Sequence, residues 1–69
     1  MKTLSIGQIV DHFKDKFKVS ELDDDIELQF IWQRLSEKVS TYGIHWNYQP
    51  QGEMLKLFQA HLPELFPTE

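Results

Sequence analysis

Asp23, Asp24, Asp25 and Glu27 crowd into five positions, so divalent-cation chemistry is the first to test. Asp23, Asp25 and Glu27 alternate as an EF-hand loop does at its start. Such a loop needs Gly at its sixth position and Glu at its twelfth, but counted from Asp23 those places hold Leu28 and Arg34. The acidic run therefore reads as a solvated helix start, where the helix dipole stabilises negative charge. His12, His45 and His61 include no pair at the i,i+3 or i,i+4 spacing that sets two zinc ligands on one helix face. They read as surface or boundary histidines. Cys is absent, and Ser5, Ser20, Ser36 and Ser40 fall at cap-like or helical-surface places, not in the strained turn a nucleophile needs. Gly7, Gly43 and Gly52 are isolated and form no phosphate-cradling loop. The expectation is a non-enzyme with no catalytic, cofactor-binding or metal residues.

What remains is the chemistry of contact surfaces. Leu28, Ile31, Trp32, Leu35, Val39 and Tyr42 recur at helical spacing and make one apolar stripe. Ile26 and Phe30 fall on the opposite side of the same helix, beside Gln33 and Glu37. Such a helix is either packed on both sides within its own fold or offers Ile26 and Phe30 to a partner. Leu57 joins them as a candidate, because it falls roughly opposite Leu55 and Leu62 on the last helix. Trp46 and Tyr48 are a second candidate surface: aromatics among polar neighbours anchor interfaces, and they also cap small cores. No Lys or Arg stands between Thr41 and Glu53, so this segment lacks the basic residues that hold phosphates while aromatics stack on bases.

Three helices must position these residues. Ser5 and Gln8 form a capping box at the start of the first, with Leu4 and Ile9 as a hydrophobic staple. Ile6, Ile9, Val10, Phe13 and Phe17 make its stripe, and Lys14, Lys16 and Lys18 favour its C-terminal end. The second helix is contained in Ser20 to Gly43. It starts at Ser20 as one long helix, or later with Asp24 as N-cap and Glu27 three residues on, leaving a short turn that carries Leu22. Gly43 ends it, with Ile44 reaching back to Val39 in a Schellman arrangement. Ile44, Trp46 and Tyr48 alternate with His45, Asn47 and Gln49 in a strand-like pattern, but no second strand is evident. The segment is expected as an extended loop laid on the helices, with a short edge strand as the alternative. The third helix runs from Gly52 or Glu53 to Leu62 on a stripe of Leu55, Phe58 and Leu62, with Met54 on its flank. Pro63 then breaks it and opens a last turn.

Sixty-nine residues with 41% apolar composition suit one small domain over residues 1–69. A net charge of −4 and a pI of about 5.2 disfavour nucleic acid and anionic membranes, which attract basic surfaces. No membrane-length apolar run or signal-peptide core is present, and a cytoplasmic protein is expected. The expected fold is all-α: a small three-helix bundle with an extended aromatic loop between the second and third helices. The expected function is a protein–protein interaction module, acting as adaptor, regulator or inhibitor, whose partner is another protein or a second copy in a homodimer. Its size also suits a phage or mobile-element accessory protein. The alternative is a helical DNA-binding transcriptional regulator acting as a dimer, although the exposed faces mix Lys56, Arg34 and Lys38 with Glu53, Glu27 and Glu37.

Overall fold

The computed structural model describes residues 4–68. Its helices are α1 (Ile6–Lys16), α2 (Val19–Leu22), α3 (Ile26–Tyr42) and α4 (Glu53–His61). Three carry the bundle, as the apolar stripes require, and α2 is a single extra turn. The stretch from Ser20 is therefore not one helix. It breaks at 23–25, where consecutive Asp side chains compete for backbone groups and favour a cap over a helix interior. The N-cap of α3 is Asp25, one residue later than Asp24: its carboxylate accepts the N–H groups of Glu27 (3.0 Å) and Leu28 (3.3 Å). The Gln29 side chain donates to the Leu22 carbonyl and seats the α2 turn on the start of α3.

The N-terminus of α1 explains the placement of the loop. The Ser5–Gln8 capping box forms as expected. The first two helical N–H groups, which have no partner inside a helix, are taken by the loop after α3. Ile6 donates to the Trp46 carbonyl and Gly7 to the Ile44 carbonyl, each at 2.8 Å. The Tyr48 N–H returns to the Leu4 carbonyl at 3.0 Å, closing one antiparallel bridge between Ser5 and Asn47. So the alternating segment is a loop with a single bridge, and its pairing partner is a helix start. Gly7 permits the approach, because a Cβ there would lie 3.1 Å from the Ile44 carbonyl oxygen.

Gly43 ends α3 with φ +85° and ψ 169°, backbone that side chains rarely tolerate. Its N–H closes on Val39 at 2.9 Å. This is one 5→1 bond in place of the expected Schellman pair.

The core is wholly apolar among the described residues: Leu4, Ile6, Ile9, Phe13, Leu28, Ile31, Leu35, Tyr48, Phe58 and Leu62 are buried, and no polar or charged side chain is. Phe13 of α1 stacks on Trp32 of α3 with ring centroids 5.5 Å apart. On α4 the packed stripe is Met54, Leu57, Phe58 and Leu62, with Leu65 and Phe66 beyond it. The expected stripe through Leu55 is therefore rotated by part of a turn. Leu57 packs against the core beside Met54 and Phe58; both stripes fit helical spacing, and packing against the other helices selects this one. After Pro63 the chain makes the expected turn, with Phe66 donating to the Leu62 carbonyl at 3.0 Å.

Candidate functional site

The first turn of α3 presents Ile26 with 81% of its surface exposed, and Phe30 follows one turn on at 46%. The opposite side of α3 supplies Leu28, Ile31 and Leu35 to the core. The helix is thus packed on one side, and Ile26 and Phe30 point away from its own fold. Helical angle relative to these buried residues sets the direction, and the Asp25 cap holds the first turn that carries Ile26. Phe30 forms a shallow depression of about 120 Å³ with Gln33, Arg34 and Glu37. Arg34 and Glu37 pair along the helix at 3.5 Å. The segment leading into this turn is acidic, with Glu21, Asp23, Asp24, Asp25 and Glu27 and no Lys or Arg from Val19 to Gln33.

The aromatic candidates separate. Tyr48 is buried, and its ring meets Phe58 edge-on at 5.8 Å. Burial pushes the Tyr48 phenol pKa up, partly offset by the nearby Arg34 charge. Trp46 stays 39% exposed and stacks on Tyr42 at 4.3 Å. The Lys38 ammonium lies 5.3 Å from the Tyr42 centroid and 5.7 Å from that of Trp46. Both distances are within the range over which a ring face attracts a cation, so Lys38 adds a cation–π contact to the stack. Trp46 and Tyr42 therefore form a half-exposed shelf, while Tyr48 belongs to the core beneath it. Leu57 is half-buried and lies with the core residues of α4, not with Ile26 and Phe30.

Two features escaped sequence reasoning. The first is an open groove of about 430 Å³ between α1 and α3, lined by Val10, Lys14, Trp32, Ser36, Val39 and Ile44, with Gly7 at one end. Its walls are the flanks of two stripes whose centres are buried, and a stripe alone does not show which flank stays open. The second is the pairing of the histidines. His12 Nε2 lies 3.1 Å from Glu64, which also takes Lys16 at 2.7 Å. The Lys16 hydrogen bond, then a backbone hydrogen bond at Glu64 and, less, the His12 contact hold the Glu64 carboxyl down to about pKa 2. His61 Nε2 lies 3.0 Å from Glu27, and Asp25 completes a group whose donor atoms all fall within 4.8 Å of one another. These partners are 52 and 34 residues apart in sequence, beyond the reach of any local spacing rule.

Fold and surface together define a small all-α fold with apolar residues presented on one helix. No protein-family model, no curated protein and no solved structure matches the chain. Among the described residues no helix is long and apolar enough to cross a membrane.

Proposed function

We propose that the chain is a protein–protein interaction module, an adaptor, regulator or inhibitor that acts by inserting apolar anchors into a partner. The observation that carries this reading is the outward pair Ile26 and Phe30, one helical turn apart on a rigid helix whose other side is in the core. Anchors at i and i+4 fit the helix-in-groove mode of recognition. The surrounding carboxylates steer a basic surface toward them and repel acidic ones. Mechanism in this reading is steric: the anchors fill a groove and the acidic segment sets orientation. Trp46 with Tyr42 offers a second contact area on the same chain.

The test pairs self-association with capture. Sedimentation velocity over a wide concentration range separates a homodimer from a monomer that takes a different protein. Phe30→Asp and Ile26→Ser, each checked for native helicity, are then compared with the unaltered chain in the dimer assay or as bait. Loss of the dimer or of the captured partner in both variants is expected. Unchanged association and unchanged capture in two folded variants would remove this face from the function.

A further inference from the structure

We propose that Asp25, Glu27 and His61 form a binding site for a divalent transition-metal ion, with zinc as the best-matched class. The two carboxylates sit at the start of α3 and the imidazole at the last position of α4. One donor atom from each lies within 4.8 Å of the other two. His61 Nε2 and Glu27 Oε1 are 3.0 Å apart. Two ligands about 2.0–2.1 Å from one zinc ion are separated by roughly 3 Å, so this edge of a coordination polyhedron is already in place. Glu27 is exposed and His61 keeps a fifth of its side-chain surface open, which gives both side chains room to adjust around an ion.

Three further features favour an ion here. Asp25 Oδ1 is held by the N–H groups of Glu27 and Leu28, which orients the carboxylate and leaves its second oxygen for a metal. Hydrogen-bonded support of this kind is usual behind metal-ligating carboxylates. Lys16 Nζ donates to the His61 carbonyl at 2.8 Å and fixes the turn that carries the imidazole, while its charge is taken up by Glu64. Lastly, Glu21, Asp23 and Asp24 add negative charge in the same short segment. One imidazole with two carboxylates selects zinc-like ions over magnesium and calcium, which prefer all-oxygen sets. The imidazole converging from another helix also separates this group from an ordinary acidic run. An ion held here staples the start of α3 to the end of α4 in a chain without cysteine. Ile26 lies between two of the ligands, so the ion also stiffens the backbone that presents this anchor. Metal binding needs no partner and is measured independently of the interaction reading.

The experiment is titration of the intact chain with zinc chloride by calorimetry and with cobalt(II) chloride by visible absorption. Expected are one ion per chain, a rise in melting temperature with zinc, and no rise at equal concentrations of magnesium or calcium. His61→Gln, Glu27→Gln and Asp25→Asn each lose about tenfold or more in affinity; Asn preserves the helix cap at position 25. His12→Gln and His45→Gln bind as the unaltered chain does. In the unaltered chain, zinc moves the imidazole NMR signals of His61 and leaves those of His12 and His45 in place, a readout that does not depend on any variant folding. Absence of saturable one-to-one binding, equal binding by His61→Gln, or a zinc response at His12 or His45 instead of His61 overturns the proposal.

Discussion

At Glu64 a single carboxylate accepts from Lys16 Nζ at 2.7 Å and meets His12 Nε2 at 3.1 Å, tying the last turn to α1. Its pKa is lowered from 4.5 to about 2. A depressed carboxylate contributes stability that is present above the unfolded pKa and is lost as pH falls through the folded one. The unaltered chain therefore loses stability between about pH 5 and pH 2 more steeply than Glu64→Gln, and the two curves converge below about pH 2. Thermal melts across that range check this. Glu64 is half-exposed, so added salt shrinks the difference. Gly43 makes a separate residue-scale prediction. Its backbone sits at φ +85° and ψ 169°, and nothing lies within 4 Å of the place an alanine methyl would take. Gly43→Ala therefore suffers backbone strain and no clash. A loss of about 1–3 kcal/mol in urea unfolding is expected, with an unchanged m-value.

Each helix of the α1–α3 pair is started by a device that lies partly outside it. The N-terminus of α1 uses Ser5 and Gln8 from its own sequence and the carbonyls of Ile44 and Trp46 from the loop. Removing the local half by Ser5→Ala should cost about 1 kcal/mol, read from the shift of the denaturant midpoint. The loop half is why a strand-like sequence ends as a loop with one bridge. Its N–H and C=O groups find partners at a helix start, so a second strand is not needed to satisfy them. At the α3 start, three successive Asp residues decide that a cap falls there, and burial of Leu28, Ile31 and Leu35 leaves Ile26 and Phe30 pointing outward.

For the molecule as a whole, size sets how much any one side chain matters. Globular stability of about 0.05–0.15 kcal/mol per residue implies roughly 3–10 kcal/mol for this chain. Phe58 is fully buried and meets both Tyr48 and Phe66, at 5.8 and 5.2 Å. Phe58→Ala should cost about 3–5 kcal/mol, comparable with the whole stability, and should abolish a cooperative thermal transition. Phe30→Ala changes a half-exposed ring and should shift unfolding by about 0.5 kcal/mol or less. A large loss from Phe30→Ala in circular-dichroism melts would return Phe30 to the core and remove the proposed face.

Local patterns were enough for the all-α class, the stripes of α1 and α3, the capping box at Ser5, the stop at Gly43 and the break at Pro63. Each depends on residues within one or two turns of one another, and short-range backbone chemistry settles them. Ile26 and Phe30 were also legible as lying opposite the main stripe, since helical angle alone places them. Tertiary structure decided which sides were covered. It buried Tyr48 while leaving Trp46 half-open, because the carbonyls on either side of His45 had to meet α1. It turned Leu57 inward, because the rotation of α4 follows the best fit of Met54, Phe58 and Leu62 to the other helices. It also brought His61 to Glu27 and His12 to Glu64. Contacts between residues tens of positions apart depend on how helices pack, and no periodicity in a single chain segment encodes them.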